Sequence, residues 1–371
     1  MKKSRSNKIW MFVVSLCLIL ILTPSLLYAR LKYTGVNLAG AEFGATVLPG
    51  TYGTNYIYPN AAEVDYYMRK GMNTFRLPFR WECLQHAQLS ALDADELNRM
   101  DTFVKYATAK GAYVIIEPHN FQRYYPDPNN FQSSAQGLVG SAVPDAAFAD
   151  FWSKLASHYK SNSRVIFNLM NEPNTMPTAQ LVVSENAAIA AIRNAGAKNL
   201  ILVPGNQWTG AWTWCASDNS TEMPKIVDPG ANFAFEVHQY MDDDGSGGSE
   251  GISNNDPLLG VKRISDFTNW LRMHNFKGFL GEFAVANSRI GNADVGDEVI
   301  ENLLKHLEAN SDVWLGWTWW AGGPWWGNYQ FTLEPTNLGQ PDQGPDRAAM
   351  AVLQPHFICP FSLVPIHTLL L

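Results

Sequence analysis

Cysteine is scarce in this sequence. Four occur in 371 residues, and Cys17 falls in a leader segment described below, which leaves Cys83, Cys215 and Cys359. Three thiols form one disulfide at most, so the chain is not a disulfide scaffold. Cys83 and Cys215 both fall in segments that read as strand-to-helix loops, and they are the expected pair. No His/Cys spacing resembles a zinc site, and no metal or other cofactor is expected. Clustered positive charge is missing as well. The 27 Lys and Arg are outnumbered by 34 Asp and Glu, for a net charge of −7. This argues against nucleic acid or an anionic membrane as partner, because both need grouped cations. It suits a neutral, hydrated substrate. No Ser/Thr/Pro-rich linker is visible, so no second module is expected, and no repeat of 20–50 residues appears.

What is present begins with a leader. Lys2, Lys3, Arg5 and Lys8 precede an apolar run from Ile9 to Leu22, and the segment closes at Leu27-Tyr28-Ala29. Basic, apolar and small-residue regions in that order make residues 1–29 a signal peptide. The run is short of the roughly 20 residues that span a bilayer, so a secreted chain free of the membrane is expected. Its removal takes the net charge from −7 to about −11. At the other end, residues 358–371 are apolar, hold Cys359 and two prolines, and are expected to lie outside the folded domain.

Between these ends, residues 30–357 show one rhythm. Short apolar runs read as buried strands at Gly35–Ala39, Thr74–Pro78, Tyr113–Glu117, Val165–Met170, Leu200–Val203, Phe233–His238, Gly278–Glu282 and Val313–Trp319. They are nearly continuous rather than alternating, as in a parallel sheet covered by helices. Helical patterns alternate with them at Ala61–Lys70, Asp93–Lys110, Pro144–Tyr159, Thr178–Gly196, Leu258–His274, Asp294–Ala309 and Asp346–Leu353, with a faint one near Met223–Val227. Gly71 and Gly111 each follow a terminal Lys, the usual helix stop. Eight strands and about as many helices in a chain of this length predict an α/β fold, a single (β/α)8 TIM barrel. Asp242–Gly248, directly after the sixth strand, reads as a solvated loop, since its spacing is not that of an EF-hand.

Active sites of such barrels form at the carboxyl ends of the strands, and there the polar residues gather. Arg76 stands at the second strand end, His119 at the third, Asn171 and Glu172 at the fourth, His238 and Tyr240 at the sixth, and Glu282 at the seventh. Any one of them alone reads as a rim residue. Together they supply two carboxyl groups on one face, as glycosidic cleavage requires: one acid to protonate the leaving oxygen, one carboxylate to attack or to activate water. Glu172 and Glu282 fall on strands four and seven, which face one another, and this favours the short separation of a retaining enzyme. Arg76 near Glu282 would lower its pKa, Tyr240 can donate to the same carboxylate, and His238 could modulate Glu172. Asn171 can reach a sugar hydroxyl. Trp208, Trp212 and Trp214 follow strand five, and Trp319, Trp320, Trp325 and Trp326 end or follow strand eight. A row of indoles suits the flat C–H faces of a β-linked glucan, although some of them are expected to pack loops instead.

The chain resembles the cellulases of glycoside hydrolase family 5, in the subgroup of fungal and related bacterial endoglucanases. The resemblance is carried by GVNLAGAEFG at 35–44, NTFRLPF at 73–79, NLMNEP at 168–173, VHQY at 237–240, GFLGEF at 278–283 and GWTWW at 316–320. It implies a secreted, cofactor-free, monomeric endo-β-1,4-glucanase working on β-1,4-glucan with retention. It assigns Glu172 as acid/base and Glu282 as nucleophile. Asn37, Arg76, His119, Asn171, Trp208, His238, Tyr240 and Trp319 are placed around the cleavage point, with Trp319 as the indole at the cleaved sugar. Related mannanases, xyloglucanases and exo-glucanases would share the pair. A non-catalytic carbohydrate-binding barrel would keep the tryptophans without needing both glutamates.

Overall fold

Runs such as Thr74–Phe79 and Phe233–His238 are buried on both faces, so their backbone groups must pair with neighbouring strands. The computed structural model describes residues 30–125, 137–287 and 293–357. The expected leader 1–29, the tail 358–371 and Cys359 lie outside the described residues. Eight strands pair in parallel and close into a barrel in the order β1 to β8. They are β1 Tyr33–Leu38, β2 Thr74–Phe79, β3 Tyr113–Pro118, β4 Val165–Asn168, β5 Ile201–Pro204, β6 Phe233–His238, β7 Gly278–Glu282 and β8 Trp314–Gly322. This is the (β/α)8 barrel the spacing predicts.

Ten α-helices are described: α1 Ala61–Lys70, α2 Trp81–Leu84, α3 Ala94–Ala109, α4 Asp145–Tyr159, α5 Thr178–Asn194, α6 Ala211–Trp214, α7 Asn219–Glu222, α8 Leu259–His274, α9 Ala293–Ala309 and α10 Ala349–Leu353. None is long and apolar enough to cross a membrane. Helix α1 starts in a capping box: Asn60 Oδ1 accepts from the Ala62 amide and Glu63 Oε2 accepts from the Asn60 amide, both at 2.8 Å. It stops at Gly71, whose φ of 109° only glycine adopts freely. Helix α3 is capped by the Asp93 carboxylate on the Glu96 amide at 2.8 Å. Caps of this kind are written in local sequence, which is why these ends fall close to expectation.

Three expectations change. The faint helix near Met223–Val227 is instead α6, α7 and a 3₁₀ turn at Met223–Lys225. Buried Trp214 packs on Phe235, Phe267 and Trp270, and Pro224 offers no amide donor to lengthen a helix. The last helix starts at Ala349 rather than Asp346, whose carboxylate accepts from the Tyr66 hydroxyl and pairs with Lys70. Cys83 and Cys215 are both free, one buried and one exposed. The Cys83 thiol donates to the Pro49 carbonyl at 2.9 Å, so loop membership did not bring the two together.

Period-two alternation sorts the strand residues. Outward positions such as Val36, Phe75, Leu77, Val114, Ile116, Val165 and Phe167 join the main core under the helices. Inward positions form a smaller apolar plug of Tyr33, Ile115, Ile166, Leu202, Ala234 and Phe279. Above that plug the interior turns polar: Asn37, Arg76, Glu117, Asn168, Glu236 and Thr318 are all fully buried. One step further toward the mouth stand His119, His238 and Glu282.

The β1–β8 seam leaves no room for added side-chain atoms. Gly316 pairs with Tyr33, and a Cβ there would lie 2.1 Å from the Tyr33 carbonyl oxygen. Gly316→Ala is expected to cost at least about 1–3 kcal/mol, the usual range for overpacking. A urea-unfolding midpoint equal to that of the parent chain would refute this.

Candidate active site

The site is organised around one cation. Arg76 enters the barrel from β2 and is fully buried. Its Nη1 donates to Glu282 Oε1 at 2.7 Å and to Asn37 Oδ1 at 2.8 Å, its Nη2 to Asn171 Oδ1 at 2.8 Å, and its Nε to Asn168 Oδ1 at 3.1 Å. The carboxylates of Glu117 and Glu236 lie 3.4 and 3.7 Å from Nη2. A planar fork with fixed donors can bind strands one, four and seven at once, which a lysine could not do.

Glu282 ends β7. Both its oxygens accept hydrogen bonds, from Arg76 and from the Tyr240 hydroxyl at 2.8 Å. Burial pushes its pKa up, while His238 and Arg76 pull it down. The net direction is upward, so the lowering that Arg76 alone would give is outweighed by desolvation. Donors on both oxygens nonetheless favour the carboxylate over the acid. Asn37 holds the strand beneath, since its Nδ2 donates to the carbonyls of Gly281 at 2.8 Å and Trp319 at 3.1 Å.

Glu172 follows β4 on a turn in which its own φ is +43°, a conformation rare for a residue with a Cβ. The Asn174 amide donates to its carbonyl at 3.0 Å and helps hold that turn. The carboxylate lies 2.7 Å from His238 Nδ1, and His238 Nε2 lies 2.7 Å from Glu236 Oε1. Burial lowers the pKa of His238, but Glu236, Glu282 and the bond to Glu172 outweigh it and raise it to about 10. The ring is therefore an imidazolium at neutral pH, donating from both nitrogens. One atom each of Glu172, His238 and Glu282 all lie within 4.8 Å of one another. A metal ion there would have to displace the ring proton, so the donor set fits a proton better than a cation.

His119, at the end of β3, has the opposite character. Its Nδ1 lies 3.1 Å from Glu117 Oε2 and its Nε2 3.3 Å from Asn171 Nδ2. Burial holds its pKa well below the ordinary value, with the Arg80 and Arg76 cations acting in the same direction. A neutral ring that accepts from the Asn171 amide fits this geometry. Trp320 stacks on it at 5.5 Å and 17°.

The sequence reasoning gave no role to Glu117, Glu236 and Asn168, and named Trp320 only within the row of indoles. The first two had a readable signal, for each stands two residues before a site histidine. On a strand that spacing points both side chains inward. Burial pushes the Glu117 carboxyl up to about 7, against the pull of Arg76. The indole choice also changes. Trp319 is fully buried and its Nε1 donates to the Phe331 carbonyl at 2.8 Å, so it has no face to offer a sugar. Its neighbour Trp320, on the other side of the strand, borders the site. Trp214 is core as well, whereas Trp208 and Trp212 are 53% and 48% exposed.

Those two indoles open a pocket of about 530 Å³ lined by Glu172, Gln207, Trp208, Trp212, His238 and Tyr240, together with Asp244–Ser246. The loop 242–248 after β6 is solvated as expected except at its first residue. Asp242 is buried and accepts from the Gly247 amide at 3.0 Å and the Ser249 amide at 3.2 Å.

A closed barrel whose mouth holds two carboxyl groups, both facing Nδ1 of one imidazolium, is the frame of a glycoside hydrolase. The family model for cellulase (glycosyl hydrolase family 5) matches residues 34–323. Endo-beta-1,4-glucanase A of Emericella nidulans is 42% identical over 82% of this chain and 87% of its own length. Endoglucanase 3 of Humicola insolens is 40% identical over 82% of this chain and 74% of its own. Among solved structures, an endo-beta-1,4-glucanase of Xanthomonas axonopodis pv. citri matches with a TM-score of 0.80 and 40% identity, covering 88% of this chain and 98% of that one. Endoglucanase Cel5A of Pseudomonas stutzeri, in complex with cellobiose, matches with a TM-score of 0.77 and 33% identity, covering 88% and 92%. The chain belongs to glycosyl hydrolase family 5, the cellulase family.

Two outcomes test this electrostatic account. Arg76→Met would leave Glu117, Glu236 and Glu282 without their shared cation. It is expected to cost about 3–5 kcal/mol, as for breaking a buried ion pair; a loss below about 1 kcal/mol in denaturant titration would contradict it. His238 carries a folded pKa of about 10 against an ordinary value of 6.5. The folded state therefore binds more protons between these values, and stability falls with rising pH. This contribution is full below about pH 6.5 and lost as pH passes about 10. Tm measured from pH 6 to 10 should decline less steeply in His238→Gln than in the parent, and equal slopes would refute the assignment.

Proposed function

We propose that this chain is an endo-acting β-1,4-glucanase that cleaves with retention, Glu172 serving as acid/base and Glu282 as nucleophile. The observation that carries the reading is the approach of the two carboxyl groups. One oxygen of each comes within 4.8 Å of the other, together with one nitrogen of His238, an approach that suits the roughly 5–5.5 Å separation of a retaining enzyme better than the roughly 6.5–9.5 Å gap of an inverting one.

In the first step Glu282 attacks the anomeric carbon while the leaving oxygen takes a proton from Glu172, so the glycosidic bond breaks as the glycosyl-enzyme ester forms. In the second, Glu172 removes a proton from water, which attacks the same carbon and frees Glu282. Arg76 and Tyr240 hold the nucleophile in place and ionised. The Glu172–His238 hydrogen bond orients the acid/base group and keeps a proton at hand between Oε1 and Nδ1. Asn171, fixed by Arg76 and His119, faces the sugar 2-hydroxyl, and Trp320 offers its ring to the sugar on the non-leaving side. The pocket on the Glu172 side receives the leaving group, with Trp208 and Trp212 as platforms. β-1,4-glucan as substrate is supported by the names of the relatives, and secretion by the signal-peptide pattern of residues 1–29.

Glu172→Ala is expected to reduce reducing-end release from carboxymethylcellulose by at least about 10²–10⁴-fold, the usual range for a proton-transfer group, and Glu282→Ala, which removes the attacking group, to reduce it at least as much. Azide should restore turnover in Glu282→Ala with a product of inverted anomeric configuration, followed by NMR. Normal hydrolysis by either variant, or an unchanged anomer with azide, would reject the mechanism. Faster release from mannan or xyloglucan than from the cellulose derivative would reject the substrate.

A further inference from the structure

Arg263 of α8 is only 3% exposed, yet no carboxylate pairs with it at salt-bridge distance among the described residues. Its guanidinium lies over the Trp212 ring, 4.4 Å from the centroid. Its Nη1 donates to the Tyr240 carbonyl at 2.6 Å, its Nη2 reaches the Asp243 carbonyl at 3.5 Å, and its Nε has no hydrogen-bond partner. A buried guanidinium that leaves a donor unused gains from contact with the indole, in keeping with a desolvated cation–π pair, and from the nearby charges of Asp242, Asp243 and Asp244. Trp212 is fixed a second time through its backbone, for Gln239 Oε1 accepts from the Trp212 amide at 2.9 Å and Gln239 Nε2 donates to the Tyr240 carbonyl at 2.8 Å.

Three parts of the groove thus meet at one carbonyl. Tyr240 gives its hydroxyl to Glu282 and its carbonyl to both Arg263 and Gln239, the two residues that hold Trp212. The loop after β6 joins them: a Cβ at Gly245 would stand 3.7 Å from Trp212 and 3.8 Å from Arg263 Nη1. One indole face is covered by the guanidinium. The residue remains 48% exposed and lines the pocket that Glu172 opens into.

We propose that Arg263 is a positioning residue for the leaving-group side, clamping the Trp212 platform to the tyrosine that holds the nucleophile, so that sugars beyond the cleaved bond bind in register with it. This rests on the reading of Glu172 as the acid facing that pocket. Lysine at this position can still reach the Tyr240 carbonyl but has no planar group to lay on the indole.

The test compares the parent chain, Arg263→Lys, Trp212→Ala and the double variant. The substrates are cellopentaose, whose leaving portion spans the pocket, and an aryl cellobioside, whose leaving group is a single ring. Arg263→Lys should lose roughly tenfold more kcat/KM on cellopentaose than on the aryl cellobioside, carried by KM, the size of effect a desolvated cation–π contact supplies. Trp212→Ala should then add little in the Arg263→Lys background, because the clamp and its platform act as a unit. Equal losses on both substrates, or losses of the two variants that multiply on cellopentaose, would overturn the proposal. A parent chain inactive on both substrates would instead refute the glutamate pair itself, and the proposal with it.

Discussion

The barrel interior depends on the Arg76 guanidinium. Filling the upper half of a (β/α)8 barrel with polar groups is costly unless each charge is matched and each donor used. Arg76 meets that condition by contacting Asn37, Asn168, Asn171 and Glu282 directly, with Glu117 and Glu236 at 3.4 and 3.7 Å. Strands one, four and seven are thereby tied to strand two from within. The same contacts orient Glu282 and the asparagine beside Glu172, so the site cannot be loosened without exposing the interior charge.

Two Glu-x-His pairs at the ends of β3 and β6 show how environment divides one chemistry into two. Glu117 supports His119 and Glu236 supports His238. His238 stands between Glu172, Glu236 and Glu282, and becomes a lasting imidazolium. His119 is buried beside the Arg80 and Arg76 cations and stays neutral, able to accept from Asn171. The carboxylate two residues back is the same in both. What differs is the balance of the remaining neighbours: Glu282 acts on both rings, but at His119 burial and the Arg80, Arg76 and His238 cations outweigh it.

The tryptophans divide in a similar way. Trp214 and Trp319 bury their rings in the shell between strands and helices, while Trp208, Trp212 and Trp320 border the open groove. Counting along the chain cannot separate Trp319 from Trp320, since adjacent strand residues face opposite sides and the register at the bulge between β1 and β8 decides which side is which. Asp242 is a parallel case: a loop aspartate that reads as solvated folds its own loop by accepting two backbone amides.

Local sequence determined much of this protein. Apolar runs, glycine stops and caps fix eight strands and their helices, and the strand ends name Glu172, Glu282, Arg76, His119, Asn171, His238 and Tyr240, because those signals act over a few residues. Only the tertiary structure decided that Cys83 and Cys215 stay apart, that Trp320 rather than Trp319 meets the groove, that desolvation outweighs Arg76 at Glu282, and that Arg263 lies on Trp212. Each of these depends on distances between strands or helices far apart in sequence, and on the burial that barrel closure creates.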